Sequence, residues 1–167
     1  MDVDKAIKER HSVRNYSDKK VGLKDVVHIM DAGRLAPAAG NVHTIRFVLV
    51  EDKDMKRKIA KAALSQHFLE KAQYVIVVCS DVKRMRKAYG ERGLIYARHQ
   101  AGAAIENMLL KIVSLGMGSC WVGAFHEATV KKLLKIPQEL IIEALIPVGY
   151  SAGRRVERKK HDLDKIV

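Results

Sequence analysis

A chain of 167 residues with 48% hydrophobic content has room for one domain built around a sizeable core. Its 31 basic residues against 19 acidic ones give a formal net charge of +12, which raises the question of nucleic acid. Only 5% of residues are aromatic, and no zinc-finger, RNA-recognition or heptad pattern supports that use.

Many lysines, among them Lys56, Lys58, Lys61 and Lys131, sit between apolar residues at helical spacing, the habit of solvated helix faces. No specific nucleic-acid partner is expected. The start, Met1 to Lys5, carries no apolar signal core, and the longest apolar run, Ala101 to Trp121, is broken by Glu106, Asn107 and Lys111. A cytoplasmic protein without a membrane span is the expectation. Cys79 and Cys120 lie in apolar runs at a spacing that fits neither a zinc site nor a C-x-x-C pair, so both read as buried thiols, and no metal site is expected.

Residues Asp2 to Glu9 predict a short first helix, closed by Arg10-His11-Ser12-Val13-Arg14. Arginines and a hydroxyl at alternate positions of an extended segment point to one side, an arrangement that suits a phosphate monoester. A solvated basic turn is the plain alternative. Leu23, Val26, Val27 and Met30 then recur at i, i+3, i+4 and i+7, predicting a second helix to about Leu35, stopped by Pro37. The connection Pro37-Ala38-Ala39-Gly40-Asn41 is made of small side chains and ends in an amide. Such a loop lets a ligand approach the backbone, although an ordinary helix-to-strand connection reads the same way.

Thr44 to Val50 alternates as a strand, and Met55, Ile59, Ala62 and Ala63 mark a third helix. Tyr74 to Cys79 is a continuous apolar run of strand length, expected of a strand covered on both faces. Asp81 to about Tyr89 predicts a basic, exposed helix. Gly93 opens the longest helix, whose stripe of Ala101, Ala104, Ile105, Met108, Leu109, Ile112 and Val113 ends at Leu115-Gly116 with a C-cap glycine. Its small residues, Ala97, Ala101, Gly102, Ala103 and Ala104, allow close packing. Gly118 to Val122 predicts a strand, Glu127 to Leu134 a short helix before Pro137, and Ile141 to Val148 a last strand. An α+β sandwich, a central sheet with helices on both sides, is the natural result.

Arg10 to Arg14, then Ala36 to Asn41, then Gly116-Met117-Gly118-Ser119-Cys120-Trp121-Val122-Gly123, then a basic tail: in that order, and over nearly the whole chain, these stretches resemble the nitroreductase family of FMN-dependent oxidoreductases. The resemblance implies a three-layer α/β/α sandwich with a central mixed sheet, assembled as an intertwined homodimer. It implies a single domain over residues 1–167, with the tail from about 151 to 167 packing on the flavin phosphate or on the partner subunit.

The implied chemistry is hydride transfer from NAD(P)H to FMN and on to an electron-poor acceptor such as a nitroaromatic or a quinone, in a ping-pong cycle that needs no side-chain acid or base in its first half. Arg10 and Ser12 correspond to residues on the phosphate and ribityl chain, and His11 to a position usually basic in relatives. Arg14 corresponds to the cation beside flavin N1 and O2. Pro37, Ala38, Ala39 and Asn41 form the loop that completes the partner subunit's site, Gln66 lies in a segment whose polar side chains reach the flavin, Val122 and Gly123 lie where backbone amides face N5 and O4, and Trp121 beside them is either a core residue or a stacking partner.

Arg158 and Lys160 align with the basic pair that clamps the phosphate from the C-terminal side, with Arg154 and Arg155 as the alternative. Two departures concern the substrate. Some members carry a glutamate near Val122, and larger ones insert a lid before the core helix that this chain lacks. Two other readings remain beside the enzyme: a flavin-binding protein without turnover, and a basic nucleic-acid-binding module on the same fold.

Overall fold

The structure is a computed structural model, and it describes residues 1–153 and 160–167. Seven α-helices and four strands follow in chain order among the described residues. They are α1 (Val3–Glu9), α2 (Leu23–Arg34), β1 (Ile45–Val50), α3 (Lys53–Ala62), α4 (Phe68–Lys71), β2 (Tyr74–Asp81), α5 (Val82–Tyr89), α6 (Arg92–Ser114), β3 (Gly118–Ser119), α7 (Glu127–Leu134) and β4 (Leu140–Gly149), with 3-10 turns at Ala39–Asn41 and Leu163–Lys165.

Local chemistry fixes several helix starts. The Asp2 carboxylate accepts from the Lys5 amide at 2.9 Å, and that of Asp52 from the Met55 amide at 2.7 Å, each satisfying a donor the first turn would leave unpaired. At the other end of α6 the predicted cap is present. The Gly116 and Met117 amides return to Val113 O and Ile112 O at 2.9 and 3.0 Å.

The strands form one sheet in the order β1-β2-β4-β3, with all three ladders antiparallel. A parallel bridge between Ser12 and Ser119 adds the mixed character, because the segment after α1 runs along the β3 edge. The apolar run predicted as a doubly covered strand is β2. Val75, Val77 and Cys79 face α3, α4 and α7, whereas Tyr74, Ile76 and Val78 face α2 and α6. That alternation gives the sandwich its three layers. Cys79 and Cys120 are buried free thiols, and burial pushes the Cys79 thiol up to about 11.

Two expectations need correction. The predicted strand Gly118 to Val122 pairs continuously only at Gly118 and Ser119, then returns for one bridge between Val122 and Leu145. In that register Cys120 stands opposite Pro147, which has no amide hydrogen to donate, so the ladder is interrupted there. The buried face of α2 is also turned from the predicted stripe. Val26, Ile29 and Gly33 are buried, while Leu23 and Val27 are 58% and 50% exposed. Gly33 is the reason: a Cβ there would come within 2.9 Å of the Met108 side chain, so α2 presses on α6 through a residue the hydrophobic count ignores.

Candidate active site

The stretch from Ser12 to Ser17 is an extended strap laid across the end of the sheet. The Val13 amide donates to Ser119 O at 2.8 Å, the Ser17 amide to Tyr150 O at 2.8 Å, and the Ala152 amide to Asn15 O at 3.0 Å. The buried Tyr16 hydroxyl donates back to Val13 O at 2.8 Å, and burial holds its acidity far below that of an ordinary tyrosine. The strap lies this close because the residues beneath it have no side chains. A Cβ on Gly118 would come within 2.6 Å of Val13, and one on Gly149 within 2.8 Å of the Tyr16 ring. Val13 and Tyr16 are therefore buried, and Ser12, Arg14 and Asn15 are exposed.

Arg10, at the C-terminal cap of α1, reaches Glu106 of α6, with Nε 3.4 Å from the carboxylate. The Arg10 side chain is half-buried there. His11 turns back instead, its Nδ1 2.8 Å from Glu9 O, so it serves its own turn. The Arg14 guanidinium stands over the Phe68 ring, 5.8 Å from its centroid. Next to Phe68, Gln66 donates from Nε2 to Ala63 O at 2.9 Å and to Ala124 O at 3.0 Å, tying the turn after α3 to the segment after β3.

In that segment the Val122 amide donates to Leu145 O at 3.1 Å, so it is spent on the sheet and is not open to a flavin as the resemblance implied. Gly123 is exposed, and a Cβ there would meet nothing within 4 Å. Trp121 is 43% exposed, with its ring edge over Gly102 of α6, so it borders the site from outside the core.

The Pro37 to Asn41 loop is elsewhere. Ala39 and Val42 pack with Leu94 and Tyr96 at the beginning of α6, and the Tyr89 hydroxyl fills the place that a side chain on residue 40 would need. Asn41 is exposed and adopts a left-handed backbone with φ 57°. Twelve residues of α6 separate Leu94 from Glu106, roughly 18 Å at 1.5 Å per residue. One chain thus holds two partial constellations. Of the tail, Lys160 is exposed, and Arg154, Arg155 and Arg158 lie outside the described residues.

The exposed Ser12 hydroxyl and Arg14 guanidinium, with Arg10 just before them at the end of α1, are a donor set for a phosphate-bearing ligand. The sequence matches the nitroreductase family over residues 7–67 and 62–150. The chain belongs to that family, and with it to the NAD(P)H-linked oxidoreductases. It is 33% identical over 150 residues to an Archaeoglobus fulgidus protein described provisionally as an NADH dehydrogenase/NAD(P)H nitroreductase, spanning 87% of this chain and 83% of the relative. It is 24% identical over 173 residues to an FMN reductase [NAD(P)H] of Bacillus subtilis, spanning 95% and 70%.

Among solved structures, a protein of Bacteroides thetaiotaomicron with the same provisional description as the first relative superposes with a TM-score of 0.88 at 30% identity, covering 99% of this chain and 95% of that one. A nitroreductase family protein of Streptococcus pneumoniae gives 0.87 at 26% identity, covering 98% and 97%.

Sequence reasoning missed Glu106 and Phe68. Glu106 reads as a solvated helix residue. Phe68 follows directly on the polar segment around Gln66 that the resemblance points to.

Proposed function

We propose that this oxidoreductase binds one FMN per subunit along the Arg10 to Arg14 strap, takes a hydride from NADH or NADPH, and passes it to an electron-poor organic acceptor in a ping-pong cycle. The observation that carries this reading is the strap itself. Backbone hydrogen bonds to Ser119 and Tyr150 fix its course, with Ser12 and Arg14 exposed along it. When bound, FMN supplies the hydride-accepting ring.

The protein's part is binding, orientation and charge. Arg10, held from behind by Glu106, offers its terminal nitrogens to the phosphate, with the Ser12 hydroxyl beside it and Lys160 as a further cation from the tail. Arg14 offers positive charge where a reduced flavin ring gathers negative charge. The Gly123 amide, with no side chain in the way, replaces Val122 as the backbone group for the reacting edge. No metal is invoked, and no group of metal-binding side chains occurs among the described residues.

The separation of strap and loop supports a two-fold homodimer in which Pro37 to Asn41 of one subunit closes the site begun by the strap of the other. No described helix is long and apolar enough to cross a membrane.

The purified protein tests the enzyme reading. Flavin absorption bands, their bleaching by NADH or NADPH without oxygen, and their return on adding a quinone or nitroaromatic are the expected results. A protein that takes up no FMN overturns the assignment. One that holds FMN unreduced by either dinucleotide is a flavin carrier.

A further inference from the structure

Arg14, on the strap, differs from Arg10, at the end of α1. Arg10 has a carboxylate behind it, whereas Arg14 has an aromatic face. Phe68 is the first residue of α4, and its ring packs both against the cluster of Val13, Tyr16 and Ala72 and against the larger core beneath α3 and α7. It is thus wedged between two packed bodies, with its remaining face under the guanidinium. The turn that delivers it is strained. Leu64 and Ser65 both take left-handed backbones, φ 54° and 58°, a conformation that is unfavourable for an L-residue. Leu64 does not bury itself in exchange, since its side chain is largely exposed. The turn is held by the Gln66 amide on Ala60 O and Ala63 O and by the Gln66 side chain on Ala63 O and Ala124 O. A strained turn, strapped at both ends, aims one ring at one arginine.

We infer that Phe68 is a positioning residue: its ring holds the Arg14 guanidinium in a single place beside the flavin's pyrimidine edge, which favours the reduced over the oxidised cofactor. The inference rests on the FMN reading above for the destination of Arg14, but the contact itself can be tested without cofactor. A long exposed side chain would otherwise spread its charge over many rotamers. An aromatic face within about 6 Å restrains it without neutralising it, as a carboxylate would. The arrangement therefore keeps the full cationic field available to the ligand.

Two measurements decide the matter. In the flavin-free protein, the Arg14 Nε–Hε resonance, assigned by its loss in Arg14→Lys, is expected to be displaced upfield by the ring. It should return to the position of a free arginine in Phe68→Leu and stay displaced in Phe68→Tyr. In the loaded protein, Phe68→Leu is expected to weaken binding of reduced FMN about two- to five-fold more than binding of oxidised FMN, which lowers the midpoint potential, with Phe68→Tyr near the parent. In an Arg14→Ala background the same Phe68→Leu change should have no further effect on that ratio.

A resonance unmoved by Phe68→Leu overturns the inference. So does a potential shift of equal size with or without Arg14, because that would be general damage to packing. A parent protein that binds no FMN overturns the flavin reading and with it the destination of Arg14, while the resonance still decides whether Phe68 holds the side chain.

Discussion

The two ends of α6 hold the two halves of what the sequence suggested was one site, and they are built differently. At the Glu106 end the strap is a backbone structure. Its course is set by hydrogen bonds to the sheet, and glycines at 118 and 149 let it press close, so the position of each side chain follows from the fold. At the Leu94 end the Pro37 to Asn41 loop is set by packing, with Ala39 and Val42 against Leu94 and Tyr96 and the Tyr89 hydroxyl against Gly40. The strap is a charged, pre-aimed binding edge. The loop is a small-residue surface packed on the beginning of α6. Within one chain the two stand roughly 18 Å apart along α6, and the proposed two-fold partner would make them adjacent.

The largest expected effect tests that adjacency. Arg10→Glu and Asn41→Arg should each abolish activity as homodimers, because each lesion enters both sites. In the mixed dimer one site collects both lesions and the other collects none. Activity should therefore return to about half the parent value by the two-site count. A purified heterodimer as inactive as either homodimer, with folding and dimerisation intact, breaks the comparison.

The next effect belongs to the strap alone. Arg10→Ala removes one cation from a paired anion site, worth about 1.5–3 kcal/mol, so FMN should bind roughly ten- to a hundred-fold more weakly. An FMN titration that matches the parent would remove Arg10 from the site. Glu106→Gln should give a smaller loss in the same titration, since it loosens Arg10 without removing it.

A third effect separates position from charge. Gly149→Ala places a methyl carbon 2.8 Å from the Tyr16 ring, so either the strap or the ring must shift. Overpacking of this kind costs about 1–3 kcal/mol, or about 2–4 °C in Tm for each kcal/mol in a domain of this size. The strap is also the proposed ligand edge, so FMN affinity should fall although no ligand-facing residue has changed. Thermal unfolding and titration of the same variant check both. A fall in Tm with unchanged affinity would show that the strap's position does not matter to binding.

Much of this could be read in the sequence because local signals agreed with the fold. The apolar run of β2, the stripe of α6 and the glycine that ends it each state a period and a stop that the structure repeats. The exposure of Ser12 and Arg14 on either side of the buried Val13 was legible for the same reason, whereas Arg10 belongs to the end of α1. What could not be read depended on contacts across the chain. The face of α2 is set by Gly33 against Met108, the break after Ser119 by Pro147 opposite Cys120, and the aim of Arg14 by a ring 54 residues away. The amide of Val122 is another such case, because only the sheet register shows that it is already taken.

The smallest expected effect lies toward the loop end. There β4 carries Glu143, whose carboxyl lies beside Ser80 and within the field of Arg98 of α6. Glu143 Oε1 and Ser80 Oγ are buried with no well-formed hydrogen bond among the described residues, although the Ser80 hydroxyl stands close enough to ease the carboxyl's charge, whereas the strap end has its backbone groups paired. Burial pushes the Glu143 carboxyl above the ordinary glutamate range. The folded chain then keeps its proton at a pH where the unfolded chain has released it, so stability falls as pH rises through that interval and the full penalty is carried above it. Glu143→Gln removes the charge and supplies an N–H donor. It should stabilise the protein at neutral pH by about 1 kcal/mol, the lower end of the cost of a buried unpaired polar group, with the gain vanishing below the ordinary glutamate range. Denaturant unfolding of parent and variant at neutral and acid pH measures it. A gain independent of pH would mean that packing, not charge, is what the loop end leaves unsatisfied. A loss at neutral pH would mean that the carboxylate is already paired in solution, as it would be if a partner subunit supplied a donor at this end of α6.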